Sequence, residues 1–283
     1  MRSVKYLVAA AGAASLFSSA ALAADMPSIM PPPQQQYYAP PVQDFGGWYL
    51  RGDIGMTNSS AKLFSNNYAT VPAGGLQQLG EGFSGGTSYG IGAGYQFNNW
   101  FRADVTGEYR SRVNFSGTDI ATFPGPVVFS DVYNGGYKSW VGLVNGYVDL
   151  GTWWCLTPFI GAGVGFANVE TTGLQDSGSK YTVANGAVGG ASYFASGAST
   201  TNFAWAAHAG VAYKVTNNFT IELAYRYLDM GTAGHGYGQS FDGSNAGPSS
   251  FKFRDLTSQD LRIGVRWTCC DLPPPPPPLI RKG

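Results

Sequence analysis

The chain has 283 residues, of which 12% are charged, 14% are aromatic and 40 are glycine, and its formal net charge is zero. Globular proteins are usually about 25% charged, so this composition suits strands and turns better than a helical enzyme. A balanced charge lacks the basic stripe that nucleic-acid binding needs, and we therefore expect no nucleic acid among the partners.

The first 23 residues have the features of a secretory signal peptide. Arg2 and Lys5 precede an apolar stretch, and the Ala-Leu-Ala sequence at 21–23 predicts cleavage between Ala23 and Ala24. An uncleaved membrane anchor is the alternative, but the apolar run is short. No other run reaches the ~20 apolar residues of a membrane helix. A mature chain that spans a membrane would therefore have to do so as a closed barrel.

Two proline-rich segments flank a single predicted domain. Residues 24–45 contain runs of three prolines and three glutamines, which predicts an extended periplasmic linker. Residues 271–283 contain a polyproline run and form a predicted C-terminal tail. The domain between them, residues 46–270, is the part of the chain with strand patterns.

Eight segments of this domain alternate between apolar and polar residues with the period of two that β-strands show. In the third segment Phe101 and Val105 share one face, and Arg102, Asp104 and Glu108 share the other. At helical spacing these charges would be scattered around the axis, so a strand is indicated. The segments are Gly47–Met56, Gly86–Phe97, Trp100–Val113, Tyr137–Leu150, Pro158–Val169, Asn202–Val215, Phe219–Met230 and Gln259–Cys269.

The connections between these segments alternate in length. Three are short, at 98–100, 151–157 and 216–218, and four are long. A soluble sandwich has no reason to sort its loops in this way, whereas a bacterial outer-membrane barrel does. We therefore predict an all-β fold: an eight-stranded antiparallel up-and-down transmembrane β-barrel with short periplasmic turns and long extracellular loops. The predicted long loops are 57–85, 114–136, 170–201 and 231–258.

The two three-residue turns set a strand register in which like faces meet. The turn at 98–100 predicts pairs of Gln96 with Arg102 and of Gly90 with Glu108. The turn at 216–218 predicts that His208 faces Arg226 on the same side of the sheet. A two-residue turn would place every side chain opposite the wrong face.

The polar faces of the strands would line the interior of the predicted barrel. Acidic and basic residues alternate along single strands there, and eight strands leave an interior only wide enough for side chains. A polar pore is one interpretation; we favour a closed lumen in which the charges neutralise one another, with glycine faces leaving room for long side chains. The predicted interior charge set is Arg51, Asp53, Arg102, Asp104, Glu108, Arg110, Arg112, Glu222, Arg226, Asp260, Arg262 and Arg266.

No sequence motif indicates catalysis, a cofactor or a metal site. The alternating glycines at 90–94 and 161–165 lack the spacing of a phosphate-binding loop. His208 and His235 are distant in sequence, and no local motif brings a serine beside either of them. We therefore predict that the protein is not an enzyme and that it binds no cofactor and no metal.

The three cysteines lie at the ends of predicted strands next to short connections. Cys155 is in the connection 151–157, and Cys269 and Cys270 follow the last strand. All three would lie at the periplasmic rim, in an oxidising compartment. We predict a disulfide between Cys155 and either Cys269 or Cys270; the alternative is three unpaired thiols.

Several short sequences resemble the small outer-membrane β-barrel proteins of alphaproteobacteria, a family of surface antigens. They are Ala-Ala-Asp after the leader, Gly-Gly-Trp-Tyr-Leu-Arg-Gly-Asp at 46–53, Asn-Asn-Trp-Phe-Arg-Ala-Asp at 98–104 and Leu-Arg-Ile-Gly-Val-Arg-Trp at 261–267. One departure is that such barrels usually finish at a terminal aromatic residue, which the barrel assembly machinery reads, whereas this chain continues past Cys269.

The resemblance implies a protein of the Gram-negative outer membrane with a role in envelope integrity. It also implies contact with host or environmental surface ligands through the long loops. The implied partners are outer-membrane lipid, lipopolysaccharide and the barrel assembly machinery, and no chemistry is implied. Two other functions stay open at this point: a narrow porin or small-solute channel, and a lipid-modifying outer-membrane enzyme.

Overall fold

A computed structural model of the protein describes residues 46–65, 69–125, 127–182 and 186–269. The expected leader 1–23, the linker 24–45 and the tail 271–283 lie outside these residues, as does Cys270. Within the described ranges, no helix is both long and apolar enough to cross a membrane.

The described residues form an antiparallel β-sheet of fourteen strands. In chain order the strands are β1 (Gly47–Phe64), β2 (Leu76–Phe83), β3 (Gly86–Gln96), β4 (Phe101–Phe123), β5 (Val127–Asp149), β6 (Leu156–Thr171), β7 (Leu174–Thr182), β8 (Gly186–Ala195), β9 (Ser199–Lys214), β10 (Phe219–Asp229), β11 (Ala233–Gly234), β12 (Tyr237–Ser240), β13 (Gly247–Pro248) and β14 (Lys252–Thr268).

Eight of these strands pair in a closed ring. The order around the ring is β1, β3, β4, β5, β6, β9, β10 and β14, and β14 pairs with β1 again. Each of the eight predicted segments contributes one strand of the ring. Because every ring strand has a neighbour on both sides, the ring leaves no unpaired edge along its wall.

The register predicted for the two three-residue turns is confirmed. Gln96 pairs with Arg102, Gly90 with Glu108, and His208 with Arg226. In the first turn the backbone N–H groups of Trp100 and Phe101 donate hydrogen bonds to Asn98 Oδ1, at 3.0 and 2.7 Å. Such an Asx turn closes the hairpin without help from distant residues.

The two faces of the ring are reversed relative to a soluble protein. Apolar side chains on the outer face are exposed, including Ile91 at 74% and Val105 at 60%. Charged side chains on the inner face are buried, including Arg102 and Asp260 at 0%. Charged side chains are almost never fully buried unless they are paired, so the charges on the inner face are expected to form ion pairs.

A β-bulge in β4 contradicts two of the face assignments. Pairing with β5 shifts between Arg110 and Val113, so the face on which each later side chain lies is inverted. Val113, which the alternation of the third segment places on the same face as Val105, is 2% exposed and points inward. Arg112, assigned to the interior charge set, is exposed on the outer face. A period-two pattern cannot reveal the extra residue that causes this inversion.

The long connections were predicted as loops, and this was wrong for much of their length. The strand β4 continues to Phe123, and β5 begins only a few residues later, at Val127. The strands β2, β7, β8, β12 and β13 extend the same sheet on both sides of this hairpin. We call the part formed by Leu76–Phe83, Val113–Tyr137 and Leu174–Ala195 the extension sheet. Serine and threonine alternate with buried residues here, a strand pattern that resembles a polar loop in sequence.

Candidate functional site

The interior of the ring collects the predicted charge set, with the exception of Arg112. Arg51 and Asp53 have side-chain exposures of 8% and 1%, and the other nine members are each 8% exposed or less. We call these residues the interior charge network: Arg51, Asp53, Arg102, Asp104, Glu108, Arg110, Glu222, Arg226, Asp260, Arg262 and Arg266. They come from β1, β4, β10 and β14.

Two acids, Glu108 and Asp260, form one centre of this network. Arg226 Nη2 lies 2.6 Å from Glu108 Oε1 and 2.5 Å from Asp260 Oδ2. Arg110 Nη1 lies 3.0 and 2.8 Å from the same two oxygens. Arg262 adds a contact of 3.0 Å to Glu108 Oε2 and also pairs with Asp53. Each carboxylate therefore has at least two guanidinium partners.

Glu222 forms a second centre, nearer the short connections. Its carboxylate oxygens lie 3.6 Å from Arg51 Nη2, 3.3 Å from Arg102 Nη2 and 3.5 Å from Arg266 Nε. Arg51 also pairs with Asp104, at 2.9 Å. One acid surrounded by three bases is balanced only because neighbouring acids share those bases.

Several residues of the network were not in the predicted set. Asp149 accepts from Arg102 Nε at 3.2 Å, and the guanidinium of Arg102 lies 4.2 Å from the ring centre of Tyr147. The Tyr147 hydroxyl accepts a hydrogen bond from Arg51 at 2.9 Å. In sequence, Asp149 alternates with the apolar residues Val148 and Leu150 of its strand, and this pattern could have indicated its inward position. Tyr147 lies on the same face as Asp149 by the same alternation, but an aromatic residue gave no sign of a role among charged groups.

Glycines on β3 give space to the network. A Cβ added to Gly90 would lie 2.7 Å from Asp53 Oδ1 and 3.1 Å from Arg262 Nη2. A Cβ on Gly92 would lie 2.8 Å from Thr106 and 3.2 Å from Arg51. On β6, glycine leaves space for neutral side chains instead, because Gly163 faces the side-chain oxygen of Asn145. The glycines therefore allow close packing inside the ring. Those on β3 lie against ion pairs, and those on β6 lie against amide and aromatic side chains.

An apolar layer fills the interior beyond the ion pairs, toward the long connections. It includes Val113, Val141, Leu143, Leu228 and Met230, each 3% exposed or less. A further aromatic cluster adjoins it, in which the rings of Phe83, Phe115 and Phe253 lie 5.1 to 5.4 Å apart. The sequence did not predict this layer, because most of its members lie on the inward faces of the predicted strands, where charged and small residues were expected.

Both histidines are engaged by neutral oxygen atoms. His208 Nε2 lies 3.2 Å from Asn145 Oδ1, and His235 Nδ1 lies 3.3 Å from the carbonyl oxygen of Phe251. His235 lies in the connection between β10 and β14, beyond the ring strand β10. Burial lowers its pKa, so this imidazole is neutral at pH 7. Across the described ranges, no group of three or more histidine, cysteine or acidic side chains has the geometry to hold a metal ion.

Three aspartates meet on the inward face of the extension sheet. Asp119 of β4 is directly opposite Asp131 of β5, and Asp176 of β7 is opposite Tyr133, whose hydroxyl donates to Asp119 Oδ2 at 2.8 Å. Burial and the charge of Asp119 raise the pKa of Asp131 to about 6. Burial, with the charges of Asp131 and Asp119, raises the pKa of Asp176 to about 7. This cluster therefore retains protons near neutral pH.

Of the two predicted disulfides, the one between Cys155 and Cys269 is not formed. Cys155 and Cys269 are free, and Cys270 lies outside the described residues. Lys214 of β9 donates its backbone N–H to Cys155, whereas the Cys269 N–H donates to Trp48 of β1. These strands are three positions apart in the ring, or about 14 Å at normal strand spacing, and a disulfide needs Cα atoms within ~7 Å.

Comparison with known proteins identifies the family. A family model described as the outer membrane protein beta-barrel domain matches residues 9–268. An uncharacterised protein of Brucella abortus is 31% identical over 255 residues, covering 80% of this chain and 86% of the relative. A protein of Rickettsia canadensis named as a candidate adhesin is 30% identical over 205 residues, covering 66% of this chain and 73% of the relative.

Among solved structures, Neisserial surface protein A covers 79% of this chain and 97% of its own, with 17% identity and a TM-score of 0.40. That score is too low to support a structural argument. The family match spans most of the chain, and the family suggested by the short motifs is thereby confirmed. The chain belongs to the outer-membrane β-barrel protein family, in its alphaproteobacterial branch.

Proposed function

We propose that the eight-strand ring is a transmembrane β-barrel whose short connections lie in the periplasm and whose long connections lie outside the cell. The reversed faces of the ring carry this proposal. A wall that exposes Leu50, Ile91 and Val105 would be insoluble in water but matches the hydrocarbon of a bilayer. The interior charge network is then shielded from lipid by the wall itself.

We infer further that the barrel is closed and has a structural role rather than a transport role. Ion pairs cross the interior nearer the short connections, and apolar side chains fill it nearer the long ones. Ions would have to break the first layer and lose their hydration in the second. A selective pore would more naturally show rings of one charge sign. A narrow channel is therefore the weaker candidate.

We assign the surface-interaction role to the extension sheet and the hairpin beyond it. In this orientation both project from the cell, and Phe241, in the turn between β12 and β13, is 86% exposed. The adhesin name of the Rickettsia relative supports attachment as this role. We assign no catalytic step, because a neutral oxygen atom engages each histidine. Lipid modification is therefore also a weaker candidate.

The orientation is tested by cysteine labelling on intact cells. In a full-length variant whose three cysteines are replaced by serine, Asn245→Cys lies in the exposed hairpin turn and Asn217→Cys in a short connection. A membrane-impermeant maleimide should label Asn245→Cys on intact cells and Asn217→Cys only after the outer membrane is opened. Labelling of Asn217→Cys on intact cells would overturn the orientation.

The attachment role is tested by expressing the full chain in an adhesion-deficient Gram-negative host. Cells carrying the chain should bind cultured epithelial cells better than cells with an empty vector. The Phe241→Ser variant should lose part of this gain at equal surface amounts, because a large exposed ring contributes strongly to a contact surface. Equal attachment by vector and full chain would reject the role.

A further inference from the structure

The connection between β5 and β6 ends in a tight turn that presents an indole ring to solvent. The backbone N–H groups of Trp153 and Leu156 each donate to the carbonyl oxygen of the other residue, at 2.8 and 2.9 Å. Trp154 and Cys155 form the two-residue tip between them. Trp154 is 94% exposed, the highest value among the seven tryptophans of the chain, and Cys155 is exposed as well. We call Trp153–Leu156 the tryptophan turn.

The two residues at the tip are unusual for their backbone conformation. Trp154 has a φ of 50° and Cys155 a φ of 68°, so both lie in the left-handed region. Two-residue hairpin tips with positive φ at both positions strongly favour asparagine and glycine. The other two short connections do contain paired asparagines, at 98–99 and 217–218. The geometry of the turn therefore does not require a tryptophan, and a contact outside the turn would explain its presence.

A bilayer around the ring would account for only part of this apolar surface. Leu156 pairs with Tyr213 of β9, which is 48% exposed on the outer face of the ring. Trp153 lies opposite Leu156 and continues the same outer face. Trp154 lies beyond this last pair, at the tip. At 94% exposure its indole is left uncovered by the residues that the structure describes.

The chain itself contains a segment that reaches this tip. β14 ends at Thr268, at the same end of the ring, and the tail follows Cys269. The tryptophan turn leads into β6, three positions from β14, or about 14 Å along the ring at normal strand spacing. The four residues from Cys269 to Pro273 span about 14 Å when extended. The run Pro273–Pro278 can therefore begin at the turn.

We propose that the tryptophan turn is a binding surface for a polyproline II helix, and that its occupant is the run Pro273–Pro278 of the same chain. Consecutive prolines favour this helix, which has three residues per turn and no internal hydrogen bonds. Aromatic side chains bind such helices because the helix is already formed and loses little conformational freedom. The tail then crosses the end of the ring as a strap and covers Trp154. This inference does not depend on the direction in which the ring enters a membrane.

The two surfaces are also matched in charge. Residues 151–157 and 272–280 contain no acidic or basic residue, so no charge loses water when they meet. A weak contact is sufficient because the two surfaces belong to one chain. Short flexible connections give effective concentrations of about 1 mM, at which a contact with a Kd of about 0.1 mM is about 90% occupied.

The first test measures how fast a maleimide reacts with Cys155. The full chain, carrying Cys269→Ser and Cys270→Ser and inserted as one copy per nanodisc, is compared with the same chain that has glycine and serine in place of residues 273–278. Prolines packed beside the thiol should slow the reaction about tenfold, as expected for a surface that is about 90% covered. Equal rates would overturn the proposal; they are the result expected if headgroups or the tail of a second copy cover the tip instead.

The second test locates the tail by disulfide formation with diamide. Pro276→Cys, added to the double-serine chain, places one thiol in the run while Cys155 supplies the other. The matched control carries Cys155→Ser with Asn99→Cys, which moves the second thiol to the connection after β3. That connection is only two positions from β14, so a freely moving tail would reach it at least as easily. The disulfide to Cys155 should form about tenfold faster than the control disulfide, and comparable rates would overturn the proposal.

Trp154→Asn separates the indole from the geometry of the turn. Asparagine tolerates the left-handed backbone, so the turn should persist and the heat-shifted band on a gel should be unchanged. Loss of the ring should raise the maleimide rate at Cys155 to that of the glycine-serine chain and slow the disulfide to the rate of the control. An unchanged maleimide rate in Trp154→Asn would reject the indole as the surface that binds the tail.

Discussion

Arg226 and Glu108 face each other across the full width of the ring. Arg226 is on β10 and Glu108 on β4, four strands apart in a ring of eight, yet Nη2 and Oε1 are 2.6 Å apart. Two opposite walls therefore meet through one ion pair. Because Asp260 and Arg110 join the same contact, the two walls are held by a network rather than by a single bond.

Removing the acid at this point should destabilise the barrel. Glu108→Ala would leave Arg226, Arg110 and Arg262 with one shared carboxylate fewer in a buried interior. Breaking a buried ion pair costs about 3–5 kcal/mol, because the remaining charge is left uncompensated. We expect the compact band on a gel to convert to the unfolded band at a clearly lower temperature than in the unmodified protein.

Glu170→Ala is the matched control for this change. Its partner Lys138 lies on the outer surface, and both side chains are partly exposed. Such surface pairs are worth ~0–1 kcal/mol, so the conversion temperature should hardly move. A Glu108→Ala barrel that converts at the temperature of the Glu170→Ala barrel would contradict the interior network as a source of stability.

The absence of a side chain at Gly90 should also be necessary for the stability of the ring. In Gly90→Ala the new methyl group would displace the carboxylate of Asp53 and the guanidinium of Arg262, which pair with each other. Overpacking of this kind costs about 1–3 kcal/mol, and the conversion temperature should fall. Gly107→Ala is the control, because nothing lies within 4 Å of its added Cβ. Equal behaviour of the two variants would refute the role of glycine as a spacer.

The extension sheet should lose stability as the pH rises. In the unfolded chain an aspartate titrates near ~3.9, whereas Asp176 titrates at about 7 in the folded protein. Between these values the folded state keeps a proton that the unfolded state has lost, so the stabilisation is complete below pH ~4 and is withdrawn as the pH rises to about 7. Hydrogen exchange of β5 and β7, corrected for the intrinsic rate, should be slower at pH 5 than at pH 8.

Replacement of the acid should remove this dependence. Asp176→Asn cannot ionise, so the protection of β7 should become nearly the same at both pH values. Asp255→Asn removes an exposed acid elsewhere and should leave the dependence unchanged, since asparagine also tolerates the left-handed backbone of that position, where φ is 54°. Retention of the full pH effect in Asp176→Asn would rule out the aspartate cluster as its origin.

The proposed closed interior predicts negligible conductance in planar bilayers. The unmodified chain, inserted in a single orientation, should show no stable current steps, because ion pairs and an apolar layer both block the axis. Arg112→Gln should behave in the same way, since this side chain is outside the ring. Stable large steps from the unmodified chain would favour the channel interpretation.

The ring strands and their register could be predicted from local features. Alternation marks Gly86–Phe97 and Trp100–Val113, and the three-residue turn between them allows only one register that keeps charged residues on one side. The reversed faces reflect the same alternation, which sets apolar residues on one side of each ring strand and charged residues or glycines on the other. These properties depend on residues close in sequence.

The sequence by itself determined the strands, the turns, the interior face and the family. Only the tertiary structure decided which acid meets which base, that Arg112 is outside, that Val113 joins an apolar layer, and that Cys155 and Cys269 are free. Each of these depends on ring closure or on one bulge. Closure brings together strands distant in sequence, and a bulge inverts every later side chain through a single unpaired residue, so no local pattern records either.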